Sequence, residues 1–91
     1  MDSKYRAYIK DCLDLNGSPK AFLTIPSANI ADDGLTSSSS SFSTLDDIPD
    51  NVKDGDVIIV YAPNGKTVYQ GVITSIEEKE INANSIYSLF N

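Results

Sequence analysis

The segment from residue 54 to residue 76 constrains the fold of this chain more than any other. Two runs of β-branched and aromatic residues flank the tripeptide Pro63-Asn64-Gly65, and this arrangement is a strong short-range signal of a β-hairpin. We predict a three-residue loop in which Gly65 is the left-handed bulge residue and Pro63 stays outside the strand ladder. The alternative, a two-residue turn at Asn64-Gly65, would put Pro63 into the ladder without a hydrogen-bond donor.

The first arm of this hairpin does not alternate between apolar and polar residues. One face of the predicted strand carries Val57, Ile59 and Tyr61, and the other carries Ile58, Val60 and Ala62. A strand that is apolar on both faces lies inside a sandwich or barrel, or has its outer face covered by a partner. The hairpin is therefore predicted to be a core element. Gly71, in the second arm, predicts a bulge or a close approach of backbone.

The N-terminal part of the chain predicts a second hairpin. Residues 4–15 alternate in a way that favours a strand, although Tyr5, Tyr8, Ile9 and Cys12 also fit a helical stripe. The following Asn-Gly-Ser-Pro sequence at residues 16–19 is typical of a turn. Residues 21–25 supply the second arm, which Pro26 ends.

The serine-rich segment of residues 36–45 has two interpretations. Five consecutive serines are typical of a flexible tether, but residues 41–45 have strand character with Phe42 as a core anchor. We predict a loop for the front half and a strand for the back half. An acidic connector follows over residues 46–53, with a single helical turn, and Asp54-Gly55-Asp56 is predicted to be a tight turn.

Residues 77–80 predict a charged reversal, and residues 81–90 predict a last strand that carries Ile81, Ala83 and Ile86. The sum is about six short strands with turn residues between them, which is typical of a small antiparallel β-barrel or sandwich. At 91 residues the chain is expected to be a single β domain over residues 1–91. The apolar residues near its C-terminus indicate a fragment of a longer protein.

Composition argues against several classes of function. A net charge of −6 argues against nucleic acid and anionic membranes as partners. The absence of histidine removes the commonest general base and metal ligand, so we expect no catalytic residues, no metal and no cofactor. Cys12 is the only cysteine, which excludes an internal disulfide, and we expect it to be a small buried apolar residue.

Two binding hypotheses remain open at the level of single residues. The acidic segment 50–56 resembles part of a calcium loop, but Val52 and Tyr61 occupy positions that need oxygen ligands. Solvated turn carboxylates are the favoured interpretation there. The five tyrosines are either packed at the margin of the core or arranged as a sugar-stacking or partner-facing patch.

Several segments together resemble a pattern in phage tail proteins. They are Ser41-Phe42-Ser43, the connector with Ile48-Pro49, the stretch from Lys53 to Tyr61, and the stretch from Asn64 to Ile76. This succession of a small-small-Phe strand, a Gly-Asp-x-Val strand, an Asn-Gly-Lys turn and a Gly-Val-Ile strand is similar to tail hub or tail-tip proteins. These are proteins of siphophages that infect Gram-positive bacteria, and of related prophages. The resemblance covers about half of the chain.

The resemblance implies a tail-tube-like β module that assembles in a threefold ring with copies of itself and neighbouring tail proteins. It implies a virion location in the phage tail, synthesis in the bacterial host cytoplasm, and no catalytic residues. The function expected is therefore that of a non-catalytic structural assembly domain; the alternative is a carbohydrate- or ligand-binding β-sandwich module. The structural or interface candidates are Phe42, Val57, Ile59, Tyr61, Asn64, Gly65, Tyr69 and Gly71.

Overall fold

Six antiparallel β-strands form one sheet that curls into a half-barrel. The structure is a computed structural model, and it describes residues 4–26 and 39–86. The strands are β1 (Lys4–Lys10), β2 (Ala21–Pro26), β3 (Ser39–Ser43), β4 (Val57–Tyr61), β5 (Thr67–Glu77) and β6 (Glu80–Ser85). Their order across the sheet is β2-β1-β4-β5-β6-β3. The predicted all-β class is confirmed, and the described residues contain six strands, as expected.

The central hairpin is built as the sequence predicts. Ala62 N donates to Lys66 O (2.8 Å) and Gly65 N donates to Ala62 O (2.8 Å), which leaves three residues in the loop. Gly65 has a φ of 87°, and the Asn64 side chain accepts a hydrogen bond from Lys66 N (2.9 Å). The loop is therefore a turn followed by a left-handed bulge residue, and Pro63 stays outside the ladder.

The strand β4 places its residues on two different surfaces. Ile58 and Val60 point to the inside of the curl and are fully buried, whereas Ile59 and Tyr61 lie on the outer face and are half-buried. The prediction that this strand is apolar on both faces is confirmed. The core that lines the inside of the curl comprises Ala7, Ile9, Ala21, Leu23, Ile25, Phe42, Val52, Ile58, Val60, Tyr69, Ile73, Ile81 and Ala83.

An aromatic pair fills the inside of the curl. The rings of Phe42 and Tyr69 meet at 62° with centroids 5.1 Å apart. In this edge-to-face geometry the electrostatic quadrupoles of the two rings attract each other. The ring of Tyr69 lies over Gly71, where a Cβ atom would come within 2.7 Å of the ring and of the Asn84 carbonyl oxygen. Gly71 thus permits the close approach that its position in a strand predicts.

A short seam brings the two edges of the sheet together. Leu45 N and Thr44 Oγ1 both donate to the carbonyl oxygen of Thr24, at 3.0 and 3.1 Å. Thr24 N in turn donates to the Asp46 carboxylate at 2.6 Å. Because Thr24 belongs to edge strand β2 and Thr44 follows edge strand β3, these bonds satisfy edge groups that would otherwise be open to a foreign strand.

The loop between β1 and β2 corrects one prediction. Residues 4–10 form a strand, so the helical alternative is wrong, and the strand ends before Cys12. Asp14 N donates to Asp11 O (3.0 Å), which makes a turn. This turn takes the chain out of the strand alternation, so Cys12 is exposed rather than buried and Leu13 is 91% exposed.

Other boundaries differ in detail. Val52 N donates to Pro49 O (3.1 Å), so the acidic connector contains a β-turn where we expected a helical turn. Gly55 has a φ of 94°, as its predicted tight turn requires. The last strand ends at Ser85, one residue before Ile86. The strand β3 begins within the serine run, and the front of that run and residues 87–90 lie outside the described residues.

We expect Gly65→Val to lower the free energy of unfolding by about 1–3 kcal/mol, because a β-branched residue is strongly disfavoured at positive φ. No atom lies within 4 Å of the Cβ position at Gly65, so the cost is one of backbone conformation and not of collision. Urea denaturation measures it. Gly65→Asn is the matched control, since asparagine tolerates this conformation, and equal losses in both variants would contradict the assignment.

We expect Phe42→Ala to lower the free energy of unfolding by about 3–5 kcal/mol, because the ring is only 1% exposed and its removal leaves a cavity. Phe22→Ala is the matched control, since Phe22 is 63% exposed, and its cost should be about 1 kcal/mol. Thermal and urea denaturation compare the two. A similar cost for both would show that Phe42 does not anchor the core.

Candidate functional site

The outer face of the half-barrel carries a row of large side chains. Strand register places Phe22 opposite Tyr8, Tyr8 opposite Ile59, and Ile59 opposite Gln70. Residues that face each other across neighbouring strands lie side by side on the same face of a sheet. We call Phe22, Tyr8 and Ile59 the outer row. The described strands form a single sheet, and their main contacts are with sheet neighbours and, at the seam, between β2 and β3.

Three aromatic rings meet on this face. Tyr8 contacts Phe22 at a centroid distance of 4.8 Å and an angle of 75°. Its other side contacts Tyr61, with centroids 5.0 Å apart and an angle of 61°. Tyr8 is thus wedged between a ring from β2 and a ring from the end of β4. Each contact is edge-to-face, which fixes the rings relative to one another.

A cleft of about 460 Å³ opens beside Tyr61. Its lining combines two tyrosines, a guanidinium group and the start of the central loop: Arg6, Tyr8, Tyr61, Ala62, Pro63 and Gly65. We call it the tyrosine cleft. A smaller hollow of about 130 Å³ shares Arg6 and Tyr8 with it and reaches Phe22. The cleft exists because the loop turns back at Pro63 next to strand β1, whose Arg6 pairs with Tyr61.

A second cleft, of about 320 Å³, lies between the acidic connector and the β5–β6 turn. Lys79 and Asp47 approach each other there at 3.6 Å, and both side chains are well exposed. Exposed pairs of this kind contribute little to stability. Among residues 4–26 and 39–86, no three His, Cys, Asp or Glu side chains lie together in a way that could hold a metal ion.

Asp56 and Lys20 form an ion pair that fastens the start of β2 to the start of β4. Lys20 Nζ lies 2.9 and 3.0 Å from the two carboxylate oxygens of Asp56, and it also donates to Asn51 O at 3.2 Å. Asp56, which is 6% exposed, accepts a further bond from Lys53 N at 2.9 Å. The hydrogen bond to Asp56 raises the pKa of Lys20 above its ordinary value, against the opposing effect of burial. The raised pKa of Lys20 is therefore explained by an ion pair that joins two strands.

The Tyr69 hydroxyl is the other perturbed group. Burial raises the pKa of Tyr69, and the Ser40 side chain opposes part of that shift. The hydroxyl is buried without a hydrogen bond of regular geometry among the described residues. Its ring packs on Phe42 inside the curl, so Tyr69 belongs to the core and does not open onto either cleft.

The structure divides the candidates from the sequence into three groups. Phe42, Tyr69 and Gly71 lie together inside the curl. Ile59 and Tyr61 lie half-buried on the outer face, whereas Val57, which shares their side of β4 by alternation, is buried. Asn64 and Gly65 form the loop at the edge of the tyrosine cleft. Tyr8, Arg6 and Phe22 complete the outer face. Tyr8 is one of the five tyrosines for which the sequence left a patch open, whereas Arg6 and Phe22 were not site candidates. The alternation of residues in β1 predicted that one face of this strand is more exposed to solvent. Only the strand order, in which β1 lies beside β4, shows that Tyr8 contacts Tyr61.

Comparison of the chain with protein-family models, with curated proteins and with solved structures gives no match. Across the described segments, no helix is long and apolar enough to cross a lipid bilayer. The class that the structure itself defines is a small all-β half-barrel with an aromatic outer face.

We expect Lys20→Met to be destabilising at neutral pH, because it leaves the buried Asp56 carboxylate without its cation. Since the pKa of Lys20 is raised above 10.5 in the folded state, the pair contributes fully below that pH and is lost as pH rises through the folded pKa. The difference in stability between parent and variant should therefore stay constant up to about pH 10 and shrink above it.

The matched control for the ion pair is Lys53→Met, since the Lys53 side chain is exposed and only its backbone N–H contacts Asp56. Urea denaturation at a series of pH values measures both variants. A destabilisation of Lys20→Met that is equalled by Lys53→Met, or that grows above pH 10.5, would contradict this account of the pair.

Proposed function

We propose that the chain is a non-catalytic assembly module of a phage or prophage tail hub or tail-tip protein, whose outer face packs against a neighbouring subunit. The observation that carries the proposal is strand β4, which is apolar on both faces within a sheet of one layer. The inner face packs inside its own curl. The outer face carries Ile59 and Tyr61, which are apolar groups without a second layer of described strands above them.

The composition of the outer face fits a protein interface. Interfaces are enriched in Tyr, Phe and Arg and depleted in Asp and Glu. Tyr8, Phe22, Tyr61 and Arg6 lie together on this face. The strands β1 to β4 contain no Asp or Glu, although the chain as a whole has 13 acidic residues. The acidic residues that are described lie in the connecting segments and at the β5–β6 turn.

The resemblance to tail hub proteins gives the proposal its biological setting. The segments that carry it fall on consecutive elements: β3, the acidic connector, β4, the central loop and β5. Phe42, from the small-small-Phe part of the pattern, is a core residue. In such a protein the module would stand in a threefold ring, with other copies of itself and adjoining tail proteins as partners, in the virion.

The absence of a reactive centre is part of the same proposal. The sequence has no histidine, so the usual general base and the usual activator of a nucleophile are missing. Among the described residues, Lys20 and Tyr69 have a shifted pKa. Perturbed pKa values often mark functional sites, but here one belongs to an interior ion pair and the other to the core.

Electron microscopy and mass spectrometry of tails purified from the producing strain test the proposal. We expect the chain in those tails, in a ring, with Ile59 and Phe22 buried against a neighbour. Ile59→Lys should abolish incorporation while leaving the fold intact by circular dichroism, because an unpaired charge in an apolar interface is strongly unfavourable.

Leu13→Lys is the control for this experiment, since Leu13 lies in the β1–β2 loop and is 91% exposed. It should be incorporated like the parent chain. Tails that lack the chain altogether, or that incorporate the Ile59→Lys variant as efficiently as the parent, would refute the proposed function.

A further inference from the structure

The tyrosine cleft has the dimensions of a small-molecule site. Its volume of about 460 Å³ falls within the range of ligand pockets, about 300–1,000 Å³. It shares Tyr8 with the outer row, and the central loop at Pro63 and Gly65 also lines it. A ligand in this cleft would therefore be held between strand β1 and the loop that follows β4.

The walls of the cleft are amphipathic. Tyr8 and Tyr61 provide ring surfaces that meet at 61°, each with a phenolic hydroxyl that can both donate and accept a hydrogen bond. Pro63 adds a third apolar ring surface, and Arg6 also lines the cleft. A ligand that matches these walls needs a flat apolar face bordered by hydroxyl groups.

We propose that the tyrosine cleft binds a pyranose unit of an oligosaccharide. A pyranose with equatorial hydroxyls has a face of C–H groups that packs on an aromatic ring and a rim of hydroxyls that bond to phenol and guanidinium groups. Tyr61 is the stacking residue, since it ends β4 and lines the cleft, and Tyr8 supports it from the side. The assignment goes beyond assembly and concerns the isolated chain, because a neighbouring subunit packed on Tyr8 and Tyr61 would exclude the sugar.

Other ligand classes fit the cleft less well. A nucleic acid strand needs a track of cations along its backbone, but among the described residues that line this cleft Arg6 is the only cation. A purely apolar ligand would not use the polar groups that Arg6, Tyr8 and Tyr61 contribute to the residues lining the cleft. A second copy of the chain is the remaining occupant, and the experiment below separates it from a sugar.

The test is a titration of the chain with chitotriose, cellotriose and maltotriose. The chain has no tryptophan and five tyrosines, so tyrosine fluorescence reports binding as the sum over all five rings, and amide NMR shifts locate the contact. We expect a saturable response to at least one β-linked trisaccharide, with the largest shifts at Tyr8, Tyr61 and Gly65. No saturable response to any of the three sugars would overturn the proposal.

Variants tie the response to the cleft. Tyr61→Ala should weaken binding at least about tenfold, whereas Tyr61→Phe, which keeps the ring, should weaken it by about threefold or less. Leu13→Ala is the control for an exposed apolar residue outside the cleft and should bind like the parent. Binding that is unchanged in Tyr61→Ala would overturn the location.

Protein concentration separates a sugar from a second copy. If the same shifts at Tyr8 and Tyr61 appear when the protein alone is concentrated, and added sugar does not compete with them, the cleft is a contact between copies and the sugar proposal fails. That result would leave the assembly proposal standing. Conversely, sugar binding by a chain that is absent from purified tails would support the cleft assignment alone.

Discussion

A single sheet has no second layer to pack against, so this chain must curl the sheet over its own apolar face. The curl depends on how well the inside is filled, because an interior with voids loses both burial and packing. Phe42 and Tyr69 fill it with two rings from strands on opposite sides of β6, and Gly71 leaves room for the second ring. The seam at Thr24 then holds the edges together at one point. The rest of the described fold depends on this enclosed apolar core.

The local parts of this fold could be predicted from the sequence, because short-range chemistry determines them. The loop at Gly65 follows from a proline, an asparagine and a glycine in sequence, and the two-faced strand follows from five consecutive β-formers. The prediction that Cys12 is buried was wrong for a related reason. An apolar residue type predicted burial, but the strand ends at Lys10 and the next turn carries Cys12 to the surface. Residue type indicates burial only while the element continues.

The candidate site could be predicted only in part, since long-range pairing creates it. Ile59 and Tyr61 were identifiable because they lie on the second face of β4. Tyr8 and Arg6 come from β1, which is about fifty residues away in sequence, and no local pattern states that β1 pairs with β4 rather than with β2 alone. The tyrosine cleft therefore exists only in the folded sheet, where strand order brings β1 beside the central loop.

Strand β4 couples the core of this molecule to its outer surface. Val60 is fully buried in the curl, and the next residue, Tyr61, forms a wall of the tyrosine cleft. Side chains that belong to well-packed strands lose little conformational freedom when they bind a ligand. More of the free energy of the contacts then appears as affinity. The same arrangement means that core substitutions near Val60 will shift Tyr61. Surface variants are therefore the better probes of function, and core variants are the better probes of the fold.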